Sequence, residues 1–127
     1  MTGFFVNIEK TTEENSNFRE VLFTGKYSQL VVMSLIPGEE IGTEVHPSVD
    51  QFFRVEEGEA KVIADGVENT VGIGSAFVIP AGTQHNVINT GNTDLKLYTI
   101  YSPANHPDKT IHKTKKEAEE YEKNKHL

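Results

Sequence analysis

The segment Gly74-Ser75-Ala76-Phe77-Val78-Ile79-Pro80-Ala81-Gly82-Thr83-Gln84-His85-Asn86-Val87-Ile88-Asn89 decides the fold. It holds two short strand-forming runs, Ala76 to Ile79 and Asn86 to Asn89, on either side of a Pro-x-Gly turn. β-Branched and aromatic residues suit a pleated, half-buried strand, whereas Pro and Gly interrupt one. The same punctuation continues outward: Gly25, Pro37-Gly38, Gly42, Pro47, Gly58, Gly66 and Gly91. Between these breakers lie Leu22-Phe23, Leu30 to Ile36, Gln51 to Val55, Ala60 to Ala64 and Leu95 to Tyr101. Many short strands with regular turn signals predict an all-β sandwich or barrel. Asp65-Gly66, set between Lys61-Val62-Ile63 and Val67, is a two-residue hairpin turn.

Alternation sorts the faces of these strands, because successive side chains point to opposite sides. Gln51, Phe53 and Val55 share one face, while Arg54 and Glu56 on the other want water, so the Gln51 face turns inward. Lys96 marks the outside of the last long strand and turns Leu95, Leu97, Thr99 and Tyr101 inward. Phe53, Val55, Val87 and Leu97 then form an apolar wall. Only the tail reads as helix: Thr114-Lys115-Lys116-Glu117 has the form of a capping box. The tail's apolar residues are Ala118, Tyr121 and Leu127, a thin docking face.

A second segment, Gly38 to Gly58, contains Glu44, His46 and Gln51. Together with Gly74 to Asn89 it resembles the two conserved motifs of the cupin superfamily. The segment Gly74 to Asn89 follows the spacing of the family's second motif, G-x5-P-x-G-x2-H-x3-N, without departure. Gly38 to Gly58 follows the spacing of the family's first motif, G-x5-H-x-H-x4-E-x6-G, with Glu44 at the first histidine position and Gln51 at the glutamate position. The resemblance implies a double-stranded β-helix, a jelly-roll barrel with a short C-terminal helix. It further implies one divalent metal inside the barrel, held by Glu44, His46, Gln51 and His85. Two imidazoles, one carboxylate and one amide oxygen are harder than the usual set and favour Fe, Mn or Co, with Zn and Ni also possible. Asp50, the rival carboxylate, falls on the outer face by parity.

Glu44 and Tyr101 are the candidate catalytic residues, since Tyr101 is the inward tyrosine best placed to show its hydroxyl to a pocket. The remaining histidines, His106, His112 and His126, match no motif and are expected at the surface. Three functions stay open. One is a metal-dependent isomerase or epimerase acting on a sugar, uronate or keto/hydroxy acid; the others are an Fe(II) dioxygenase and a non-catalytic small-molecule binder. The fold hosts all three. No arginine or lysine reads as inward, and no glycine-rich loop leads into a helix, so a phosphosugar is disfavoured.

Composition narrows the rest. The 127 residues fit a barrel over 1–112 and a charged helical tail over 113–127. There is no cysteine, which excludes disulfides, thiol catalysis and cysteine-bound metals. The net charge is −7, and the tail holds five lysines against four glutamates, so the acidic excess lies in residues 1–112. An acidic body repels phosphate backbones, which argues against nucleic acid. The first residues, Met1-Thr2-Gly3-Phe4-Phe5-Val6-Asn7, lack a basic n-region and an apolar h-region, and no apolar run is long enough to span a membrane. A cytoplasmic protein is expected. A homodimer is expected as well, with the apolar segment Phe4 to Ile8 pairing onto a partner sheet.

Overall fold

The computed structural model describes residues 2–125; His126 and Leu127, assigned above to the surface and to the tail's apolar face, lie outside the described residues. In chain order the elements are α1 (Ile8–Glu14), β1 (Arg19–Thr24), β2 (Gln29–Leu35), β3 (Asp50–Glu57), β4 (Ala60–Ala64) and β5 (Val67–Val71). There follow β6 (Ala76–Ile79), β7 (His85–Asn89), β8 (Leu95–Ser102), β9 (Ile111–His112) and α2 (Lys115–Lys125). The strands form two antiparallel sheets with orders β6-β3-β8-β2-β1-β9 and β5-β4-β7. Residues 38–46 extend the smaller sheet beyond β7. Gly38 N donates to Asn89 O, Ile41 N donates to Val87 O, and Glu44 and His85 exchange both backbone bonds at 2.8 and 2.9 Å. The result is the all-β architecture expected from the strand spacing, in the jelly-roll form that the resemblance implies.

The core lies between the sheets. Val31, Met33, Leu35, Phe53, Val55, Leu95 and Leu97 face Ala60, Val62 and Val87. Burying each large apolar side chain stabilises by roughly 1.5–3 kcal/mol. That fixes register, because a slip of one residue would carry Arg54 and Glu56 into the core in place of Phe53 and Val55. At the Asp65-Gly66 turn both residues have positive φ, 47° and 81°, and Ala64 pairs directly with Val67. Gly58 is required for a different reason: at its φ of 91° an added Cβ would lie 2.9 Å from the Asp94 carbonyl oxygen.

Arg54 and Glu56 do point outward and form an ion pair at 2.9 Å, but Glu56 is buried there rather than in water. Lys96 is also on the outer face but is not in water. α1 lies over it, and its Nζ donates to Asn15 O at 2.6 Å and Ser34 Oγ at 2.9 Å. α1 corrects the expectation that only the tail is helical. Its signal was local: Asn7 Oδ1 accepts from Lys10 N as an N-cap, and Glu9 sits in the first turn. The same cap ends the extended path expected for Phe4 to Ile8. Those residues form no strand; Phe4 stacks on Phe23 at 5.3 Å and Ile8 begins the helix.

α2 begins at the predicted box. Thr114 Oγ1 accepts from Glu117 N at 3.1 Å, while Glu117 reaches Lys113 N, one residue before the cap. Ala118 is buried and Tyr121 packs against the His112 ring at 5.4 Å. Among the described residues no helix is long and apolar enough to cross a membrane.

Candidate metal centre

Two backbone junctions bring the first and second motifs together. The Glu44–His85 bridge is one; the other is Gly82 N, at the Pro-x-Gly turn, donating to His46 O at 2.9 Å. Glu44, His46 and His85 each offer a ligand atom, and these atoms lie within 4.8 Å of one another. His46 Nε2 is 3.7 Å from Glu44 Oε2, and the two imidazole centroids are 5.5 Å apart. His85 Nδ1 lies 2.9 Å from Thr83 O. A carbonyl can only accept, so Nδ1 carries the proton and Nε2 keeps its lone pair for a ligand. Burial, with His85 and Arg19 nearby, lowers the His46 pKa and keeps that ring neutral. Burial raises the Glu44 pKa, against the pull of Arg19 and His85.

The donor set fits a divalent cation. His46 Nε2 and Gln51 Oε1 are buried polar atoms without a hydrogen-bond partner. Such orphans cost about 1–3 kcal/mol each unless something satisfies them, and a cation would satisfy both. Gln51 is 3% exposed, and its Nε2 donates to Thr99 Oγ1 at 3.0 Å, so only the oxygen end is free. Asp50 is exposed on the other face and accepts from Ala81 N.

Tyr101 is 2% exposed, and its ring meets that of His46 edge-on at 5.9 Å. Its hydroxyl lies 3.2 Å from His106 Nε2, and burial pushes its pKa up to about 12. His106 therefore is not a surface histidine, as the sequence suggested; it lines the cavity beside the motifs. The cause is Gln29, a fully buried amide on β2. Gln29 Oε1 accepts from Asn105 N and His106 N, and its Nε2 donates to His106 O at 2.7 Å. His112 is likewise buried, paired across strands with Arg19. Replacing Gln29 with Met should free the 103–110 loop at a cost of about 1–2 kcal/mol, because the released amides can reach water. Faster amide exchange at Asn105 and His106, with the rest of the barrel unchanged, is the expected measurement.

The cavity has a volume of about 490 Å³ and is lined by Glu44 and His46 from the first motif, by Asn105 and His106, and by Lys115, Ala118, Glu119 and Glu122 of α2. Arg19 lines it too, which overturns the expectation of no inward cation. The strand run legible in the sequence begins at Leu22-Phe23, whereas β1 begins at Arg19 and buries Arg19 and Val21 on one face.

The family model described as Cupin domain matches residues 31–101, more than half of the chain. The chain belongs to the cupin family. This cupin is 52% identical over 121 residues to the uncharacterized protein YrkC of Bacillus subtilis, a match taking in 91% of this chain and 65% of that protein. The chain thus spans just under two-thirds of that relative's length. The crystal structure of BH2720 from Bacillus halodurans superposes with a TM-score of 0.91 at 48% identity, covering 92% of this chain and 93% of that one. A more distant cupin, a predicted oxalate decarboxylase from Thermotoga maritima, is 25% identical with a TM-score of 0.59, covering 62% of this chain and 69% of that one.

Proposed function

We propose that this cupin is a metal-dependent enzyme acting on a small oxygen-rich molecule, with Glu44, His46 and His85 holding one divalent ion and Gln51 Oε1 as a fourth donor. The observation that carries it is the convergence of three ligand atoms within 4.8 Å beside a cavity of about 490 Å³. A bound ion there supplies Lewis-acid polarisation of a carbonyl or enediol oxygen. The residues supply the rest. His85, fixed by Thr83 O, and neutral His46 present lone pairs without first losing a proton. Tyr101 stays a neutral phenol at physiological pH, and His106 passes a proton between its hydroxyl and the cavity. Glu44 serves either as ligand or as the proton acceptor.

An isomerase or epimerase is the reading these groups support best. A dioxygenase is the second reading, favoured by the specific make-up of two histidines and one carboxylate. The predicted oxalate decarboxylase among the relatives adds support for a small organic acid as the substrate. The tail over 113–127 belongs to this proposal as a wall of the cavity in the barrel of 1–112, through Lys115, Ala118, Glu119 and Glu122.

Element-resolved analysis of protein purified without added metal should find one first-row divalent ion per chain; none, with none taken up on dialysis, overturns the proposal. We further propose a cytoplasmic homodimer, supported by the exposed Phe5, Ile73 and Val78. Sedimentation at tens of micromolar, well above a roughly micromolar dissociation constant, should show the dimer; monomer alone would overturn it.

A further inference from the structure

The cavity contains a buried cation for which the metal centre has no use. Arg19 stands directly opposite Met33 across the β1–β2 pair, and Met33 belongs to the core, so the Arg19 side chain points into the barrel. It is 6% exposed. Among the described residues no carboxylate lies within ion-pairing distance of it. Its Nε is buried without a hydrogen-bond partner. The Phe18 ring lies 5.2 Å from the guanidinium carbon, and Glu44 shares the cavity with it beyond ion-pairing distance. Lys115, the other cation lining the cavity, is already paired with Glu119 at 3.8 Å.

A buried guanidinium without a counter-charge is unfavourable, and folded proteins supply one. We propose that the counter-charge is the substrate: Arg19 holds the carboxylate of a small monoanionic hydroxy or keto acid. Its hydroxyl or keto oxygen then reaches towards Glu44, His46 and His85. The orientation of the acid rests on the metal-enzyme reading above, whereas the Arg19–carboxylate contact does not need it. The planar guanidinium fork matches a carboxylate in two parallel hydrogen bonds. A single guanidinium carries one positive charge, which one carboxylate neutralises.

The test uses the full chain, loaded with Mn(II) or treated with chelator, and calorimetry with glycolate, lactate and pyruvate. Glycolamide, lactamide and inorganic phosphate are the controls. At least one acid should bind with a dissociation constant of about 1 mM or tighter, and its amide at least about tenfold more weakly. Arg19→Met should weaken the acid at least about tenfold and leave the amide unchanged, with Arg19→Lys in between. Metal content should be the same in Arg19→Met as in the wild type. The melting temperature of Arg19→Met without ligand should equal or exceed that of the wild type, because an uncompensated buried charge has been removed.

Equal acid binding by Arg19→Met, no acid bound by the wild type, equal binding of the amides, or phosphate bound more tightly than every acid would each overturn the proposal. A melting temperature lower by about 5 °C or more in Arg19→Met would do so too, by revealing a structural arginine. Acid binding that depends on Arg19 in a protein that takes up no metal supports this inference while sinking the metal-enzyme reading.

Discussion

Alanine at His85 is expected to abolish divalent-metal binding while the barrel still melts cooperatively. His85 has its tautomer fixed by the Thr83 carbonyl and keeps Nε2 as a ligand donor, which alanine removes. Its ring lies edge-on to Phe53 at 6.5 Å, and removing it leaves Phe53 held against Phe77 at 4.6 Å, which protects the core. A ligand at 100 times its dissociation constant stabilises the folded state by about 2.7 kcal/mol. For a domain of this size that is a rise of roughly 10 °C in melting temperature. Added Mn(II) or Zn(II) should produce this rise in the wild type and none in His85→Ala or His46→Ala. Asp50→Asn should behave as the wild type, since Asp50 lies on the outer face and accepts from Ala81 N. Lowering the pH should erase the rise in the wild type, because protons compete with the ion for all three ligands. Full metal occupancy in both histidine variants would sink the metal centre.

What the sequence disclosed and what it hid divide along a physical line. Features set within a few residues were legible. The Asp65-Gly66 turn needs two positive φ values and has the residues that tolerate them; Phe53 and Val55 alternate with Arg54 and Glu56 because one face is dry. The grouping of Glu44, His46 and His85 was legible only through the resemblance to the cupin motifs, since the Glu44–His85 bridge joins segments 41 residues apart in the chain. Features set by distant partners were not. His106 is drawn into the cavity by Gln29, 77 residues away in the chain, and nothing beside His106 announces it. Arg19 lies before the first strand run legible in the sequence, Leu22-Phe23, so no alternation assigned it a face. α1 carries no apolar period of its own and is fixed instead by its cap and by covering Lys96.

Gln51 is where the family pattern is broken, and its replacement by glutamate should give two opposite effects in one protein. Gln51 Nε2 donates to Thr99 Oγ1, and the Thr99 hydroxyl is itself committed as donor to Phe52 O at 2.7 Å. A carboxylate at this position would therefore face Thr99 acceptor to acceptor. In metal-free protein that mismatch should cost about 1–3 kcal/mol, a melting temperature lower by several degrees. Burial and the lost donor hold the introduced carboxyl's pKa above its unfolded value. Stability is accordingly retained below the ordinary carboxylate range and lost as the pH rises through the folded-state pKa. With metal present the sign reverses. The second carboxylate adds a full negative charge where the amide offered only a carbonyl dipole, so Mn(II) and Zn(II) affinity should rise. Gln51→Glu should thus start lower than the wild type without metal and show the larger metal-induced rise. Calorimetric titration beside the melting curves separates the two effects. A variant that is destabilised without metal and gains no affinity would show that Gln51 only braces Thr99, leaving the metal to Glu44, His46 and His85.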